Sequence, residues 1–220
     1  MSTIFKTAPL YLITDTKIAG LSHIQITRRA IDAGIRVIQL REKNLPPKDI
    51  YKAAVSIRDI AMRRNVIFIV NDHVDVALAV NADGVHLGQE DIPVEDARRI
   101  LGKRKLIGIS THNLKEAIMA QEAGADYIGF GPMFHTTTKD VGNPKGLKAL
   151  RQVRKLIDIP IVAIGGITWE NVNEVLNSGA DAAAIASGIL TGDIKTNVER
   201  FMEGINRDAL INNRYHVPCL

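Results

Sequence analysis

Cysteine is almost absent: Cys219 is the single thiol among 220 residues. One thiol cannot close an internal disulfide, and no cysteine-based zinc cluster can be built from it. Its place beside the last residue, rather than four residues from it, does not match the prenylation pattern, so none is expected. Aromatic residues make up 5% of the chain and the net charge is +4. With no dense basic tract and little aromatic interleaving, nucleic acid is not an expected partner; an acidic small molecule fits better. No apolar run approaches the roughly 18 residues of a membrane span. Residues Met1 to Thr7 hold no apolar core of signal-peptide length. The expectation is a soluble, cytoplasmic protein without a membrane partner.

What is present is ordinary globular composition, 46% apolar and 24% charged, enough for a substantial core. Eight short β-branched or apolar runs read as strands: Leu10 to Ile13, Val37 to Leu40, Val66 to Val70, Gly84 to Leu87, Leu106 to Ile109, Tyr127 to Phe130, Ile161 to Ile164 and Ala182 to Ala186. Between them, Ile24 to Ala33, Asp49 to Arg63, Val74 to Val80, Val94 to Leu101 and Leu114 to Glu122 space apolar residues three and four apart, as helices do. Ala33-Gly34, Asn81-Ala82-Asp83, Ala123-Gly124-Ala125-Asp126 and Ser178-Gly179-Ala180-Asp181 each close a helical run just before a strand. Gly or Asn there suits a left-handed helix cap. Eight such units without a linker predict an α/β fold, a single (β/α)8 TIM barrel of eight parallel strands over residues 1–206. A doubly wound open sheet is the alternative, weakened because no GxGxxG follows the first strand. Residues 207–220 have no clear period and read as a C-terminal tail.

In such a barrel, function belongs at the C-terminal ends of the strands. There Gln39, Arg41 and Lys43 alternate, so one amide and two cations share a face, suited to a polyanion such as diphosphate. The bland reading is a strand end fraying into solvent. Asn71 and Asp72 follow the third strand, Asp91 the fourth, and Ser110, Thr111 and His112 the fifth. Asp72 and Asp91 would arrive on strands about 4.8 Å apart. Paired hard-oxygen carboxylates favour Mg2+ shared with a substrate phosphate, although Asp72 could equally cap the helix that follows. Thr136, Thr137, Thr138 and Lys139 sit in the longest loop, roughly Pro132 to Lys145, with hydroxyls and an ammonium for a phosphate. Gly165-Gly166 and Ser187-Gly188 stand where barrels hold phosphate on backbone N–H groups. His86 lies within a strand and reads as a satisfied interior residue; His112 and His135 sit on the rim, where proton transfer is open to them.

Five motifs together give the chain a family resemblance from about Tyr11 to Leu190: Gln39-Leu40-Arg41-Glu42-Lys43, Val70-Asn71-Asp72, Asp83 through Asp91, Thr136 through Lys139, and Ala163-Ile164-Gly165-Gly166-Ile167. On these the sequence resembles the thiamine-phosphate synthase family. The resemblance implies a transferase that joins hydroxymethylpyrimidine diphosphate to a thiazole phosphate, releasing diphosphate with Mg2+ present. It places Gln39, Leu40, Arg41, Glu42, Lys43, Asn71, Ser110 and Lys139 on the pyrimidine diphosphate. It places Thr136, Thr137, Thr138, Gly166, Ala186 and Ser187 on the thiazole phosphate, with Asp72 and Asp91 on the metal. His135 stands where the family usually has Pro, and the stretch beyond about Asn206 lies outside the pattern. A thiazole tautomerase on the same barrel, working through a loop histidine, and a non-catalytic phosphate-metabolite binding protein are the alternatives. A homo-oligomer is expected only from general frequency.

Overall fold

The computed structural model describes residues 5, 7–136 and 143–212. Its eight strands are β1 Leu10–Ile13, β2 Val37–Leu40, β3 Ile67–Asn71, β4 Gly84–Leu87, β5 Leu106–Thr111, β6 Tyr127–Phe130, β7 Ile161–Ile164 and β8 Ala182–Ile185. Each pairs in parallel with the next, and β8 pairs with β1, closing the barrel. The helices are α1 Thr16–Ala19, α2 His23–Asp32, α3 Pro47–Arg63, α4 Val74–Ala79, α5 Val94–Leu101, α6 Leu114–Glu122, α7 Gly146–Arg154, α8 Val172–Asn177, α9 Ser187–Leu190 and α10 Ile194–Asn212. The last helix continues past residue 206, where the tail was expected to begin.

Alternation along each strand divides the core in two. Leu12, Ile38, Leu40, Phe68, Val70, Leu87 and Ile185 face outward and pack with the buried stripes of the helices. Tyr11, Ile13, Val37, Ile69, Tyr127, Val162 and Ala184 form a separate inner cluster. Phe5 joins it, its ring centroid 5.1 Å from that of Tyr127.

The repeated small-residue turns behave as their composition predicts. Gly34, Asn81, Gly124 and Gly179 all have positive φ, of 110°, 53°, 85° and 111°, and the chain turns from there into the following strand. The aspartates ending three of these turns add a fastener. Asp83 Oδ2 accepts the Phe68 N–H and an Arg58 N–H, both at 2.9 Å. Asp126 repeats this with Ile107 N at 2.8 Å and Arg98 at 2.5 Å. Asp181 repeats it with Ile161 N at 2.8 Å and Arg154 at 2.9 Å. Each carboxylate ties an odd strand, the even strand after it and the helix before both. Arg36 fills the corresponding position before β2 and donates instead to the carbonyls of Ile31 and Ile35.

Three residues expected beyond strand ends lie within strands. Asn71 pairs in register with His86, Ser110 with Gly129 and Thr111 with Phe130. Their backbones find partners on the neighbouring strand, which extends β3 and β5. Ala186, expected within β8, instead turns the chain into α9 with φ −117° and ψ −85°.

Candidate active site

A cleft of about 1050 Å3, counting its open mouth, enters the barrel and brings together residues from seven strands or their following loops. Gln39, Arg41, Ser110, Thr136, Gly166, Ala186 and Ser187 all line it. Alternation explains Gln39: it pairs with Ile13 and Ile69, whose side chains belong to the inner cluster. It also explains why its neighbour turns away. Leu40 is buried in the outer core, and the Glu42 carboxylate faces His23 and the Asn44 N–H. Neither side chain lines the cleft.

Behind the Arg41–Lys43 loop stands a buttress. The buried ring of His23 bonds Thr14 Oγ1 at 2.8 Å through Nδ1 and Glu42 Oε2 at 3.2 Å through Nε2. Thr14 Oγ1 also accepts the Arg41 N–H at 3.3 Å. Burial would raise the Glu42 pKa, but the N–H of Asn44 and the His23 ring outweigh it and hold the carboxyl below its ordinary value. Arg41 Nη1 lies 3.8 Å from Asp15 Oδ2, whose other oxygen caps α1 by accepting from Lys17 N and Ile18 N.

Lys43, Asn71, Asp72 and Asp91 stand beside the cleft, at the same ends of β2, β3 and β4. Lys43 forms an ion pair with Asp72. Asp72 has φ 61°, a left-handed conformation that costs most side chains about 1–2 kcal/mol and Asp rather less. Asp91 Oδ2 accepts the Gly88 N–H at 2.6 Å. Asn71 Nδ2 is buried and has no hydrogen-bond partner among the described residues, so its N–H hydrogens await an acceptor. Thr137, Thr138 and Lys139 lie outside the described residues.

On the opposite wall, Gly165 and Gly166 have φ 97° and 64°. A Cβ at Gly166 would come 2.5 Å from the His135 carbonyl oxygen, so this close approach admits only glycine. The start of α9 at Ser187 also lines the cleft. His135 itself is exposed. His112 lines the cleft with its Nδ1 3.0 Å from Glu116 Oε2.

Sequence reasoning missed Tyr11, Asp15 and the cleft-facing role of His86, all of which line the cavity. The alternation that exposed Gln39 would have found His86, two residues beyond Gly84 on one face.

A family model described as thiamine monophosphate synthase matches residues 10–189 of the chain. The chain belongs to the thiamine monophosphate synthase family. It is similar to the thiamine-phosphate synthase of Clostridium novyi (strain NT), 48% identical over 186 residues that cover 84% of this chain and 91% of that one. The thiamine-phosphate synthase of Methanosarcina barkeri (strain Fusaro / DSM 804) is 43% identical over 208 residues, 94% of each chain. Among solved structures, a thiamine phosphate pyrophosphorylase from Pyrococcus furiosus matches with a TM-score of 0.85 and 37% identity, covering 92% of this chain and 98% of that chain. As a member of the thiamine monophosphate synthase family the chain is an enzyme, a transferase with thiamine-phosphate synthase activity. No helix among the described residues is long and apolar enough to cross a membrane.

Proposed function

We propose that the chain transfers a hydroxymethylpyrimidine group from its diphosphate to the ring nitrogen of a thiazole phosphate, giving thiamine phosphate and diphosphate. The convergence of Gln39, Arg41 and Ser110 in one cleft, with Lys43 beside it and an Asn71 Nδ2 that has no partner among the described residues, carries this reading. Gln39 and Ser110 hold the pyrimidine ring. Arg41, Lys43 and Asn71 Nδ2 turn donors toward the diphosphate, and Lys139 from the long loop completes that shell. Thr136, with the backbone of Gly166, Ala186 and Ser187, seats the thiazole phosphate on the opposite wall, and the family resemblance adds Thr138 to that role.

The bond from the exocyclic methylene to the diphosphate oxygen breaks, and its electron pair leaves with the diphosphate. Positive charge spreads into the electron-rich aminopyrimidine, and the thiazole nitrogen lone pair forms the new C–N bond. Arg41 and Lys43 stabilise the charge growing on the leaving group, where fixed cations act most strongly. The two walls align the rings, which removes most of the entropic barrier to their meeting. A lone pair already on nitrogen needs no general base, and neither His112 nor His135 is required for one.

Asp72 and Asp91 are the residues that would hold Mg2+. Among the described residues no group of three or more His, Cys, Asp or Glu side chains gathers as a metal cage; two carboxylates completed by substrate phosphate and water suit Mg2+. When bound, the ion supplies positive charge to the diphosphate. The reading places the protein in the cytoplasm, with these two small molecules as its partners.

Purified protein incubated with both substrates and Mg2+ should yield thiamine phosphate by mass spectrometry, and EDTA should abolish it. Isomerised thiazole without coupled product would identify a tautomerase. Ligand binding without either product would identify a sensor.

A further inference from the structure

Five polar side chains cross the barrel interior as one hydrogen-bonded line. Gln39 Nε2 donates to Tyr11 Oη at 2.8 Å, and Tyr11 Oη lies 3.0 Å from Tyr127 Oη. Tyr127 Oη is 3.1 Å from His86 Nδ1, and His86 Nε2 is 2.9 Å from Ser110 Oγ. Gln39 on β2 and Ser110 on β5 line the cleft, as do Tyr11 and His86 between them; Tyr127, 0% exposed, lies behind them. The line occupies space that the sequence clears for it. A Cβ at Gly108 would fall 2.1 Å from Tyr127 Cζ, and one at Gly129 would fall 3.1 Å from His86 Cε1. Burial raises the pKa of both phenols well above that of ordinary tyrosine, so each keeps one hydrogen to give.

Each hydroxyl has a single hydrogen, so the direction of one bond dictates the next. An amide nitrogen only donates. Tyr11 therefore gives its hydrogen to Tyr127, and Tyr127 gives its own to His86 Nδ1. The ring proton then sits on Nε2 and is donated to Ser110 Oγ. At the cleft this leaves Gln39 Oε1 as an acceptor and frees the Ser110 hydroxyl hydrogen to donate, the serine oxygen keeping one further lone pair. Turning over the Gln39 amide exchanges these roles only if every bond in the line reverses at once. Any mixed arrangement leaves a buried polar group without its partner.

We propose that Tyr11, Tyr127 and His86 are positioning residues that lock Gln39 and Ser110 into opposite roles, selecting an aminopyrimidine over its oxo analogue. An aminopyrimidine edge offers an amine donor beside a ring-nitrogen acceptor, matching the polarity in place. The oxo form presents a carbonyl to the Gln39 Oε1 acceptor, and pairing it there needs the Gln39 amide turned over and the line behind it reversed. The ring's identity rests on the synthase reading above; the polarity of the line does not.

The test compares kcat/KM for the aminopyrimidine diphosphate and its oxo counterpart in the wild type, Tyr127→Phe and Tyr11→Phe. Either substitution cuts the line so that its halves turn independently. The preference for the amino substrate should fall about tenfold or more; intrinsic reactivity cancels in this ratio of ratios. Equal losses on both substrates, with the preference intact, would reduce the tyrosines to packing and overturn the proposal. Nitrogen-15 NMR of the wild-type protein reads the polarity directly. A His86 ring protonated on Nε2 supports the line, and one protonated on Nδ1 overturns it, whether or not either phenylalanine variant folds. Failure of the wild type to make thiamine phosphate would instead sink the synthase reading while leaving the NMR result to decide the polarity.

Discussion

The Lys43 ammonium lies against the Asp72 carboxylate, joining the loop after β2 to the end of β3. The lysine side chain is 49% exposed and the aspartate 16%, so the contact sits at the mouth of the site. On the proposed function, an arriving diphosphate would compete for the lysine and release the carboxylate proposed to hold Mg2+. Lys43→Ala should lower kcat about a hundredfold, the scale of losing one preorganised charge contact to a developing anion. Asp72→Asn should move the Mg2+ concentration for half-maximal rate upward. Steady-state rates across a Mg2+ titration check both, and an unchanged metal dependence in Asp72→Asn would remove that residue from the metal site.

Asn71 holds a buried amide nitrogen that has no acceptor among the described residues. Such a group costs the folded protein about 1–3 kcal/mol when left unmade. Asn71→Ala should therefore leave the melting temperature unchanged or raised, while turnover drops at least about tenfold through loss of a donor to the diphosphate. A melt and an activity assay on the same preparation separate the two effects. Loss of stability in step with activity would make Asn71 a packing residue.

Glu42 is the pH-sensitive tie of the Arg41–Lys43 loop. Its folded pKa lies below the ordinary value despite burial, because the Asn44 N–H and His23 favour the carboxylate. A lowered carboxyl pKa contributes stability that is complete above the unfolded value of about 4.3 and fades as pH falls through the folded one. The stability gap between wild type and Glu42→Gln should be present at neutral pH and shrink in acid. Thermal melts across that range measure it; a gap independent of pH would mean the carboxylate charge plays no part.

Asp83 offers a way to weigh a backbone contact against an ion pair. Its Oδ2 accepts both the Phe68 N–H and Arg58. A hydrogen bond to a charged group contributes about 1.5–3 kcal/mol, and a part-exposed ion pair about 0–1 kcal/mol. In urea denaturation, Asp83→Ala should cost clearly more than Arg58→Met. Equal costs would show the guanidinium to be the real anchor.

Much of the barrel is legible from alternation. Strand runs such as Val37 to Leu40 and Tyr127 to Phe130 coincide with β2 and β6, because an apolar run between turn residues has few other ways to bury itself. The rim was legible for the same reason that Gln39 and Arg41 share a face. Less legible were the residues whose role depends on a partner far along the chain. Nothing local marks Tyr11 and Tyr127 as a pair separated by 116 positions. His86 reads as a satisfied interior histidine; both its ring nitrogens do have partners, but it also lines the cleft. Asp126 reads only as the end of a turn before a strand, and nothing local shows that Ile107 and Arg98 share its carboxylate.

The three Asp–Arg fasteners bundle the chain as α3-β3-α4-β4, α5-β5-α6-β6 and α7-β7-α8-β8. The joints between bundles then fall in the segments after β2, β4, β6 and β8, home to Arg41 and Lys43, Asp91, Thr136, and Ser187. Lengthening or rewriting those joints severs none of the tethers at the far end. Chemistry on this scaffold can be revised without loosening the framework that carries it.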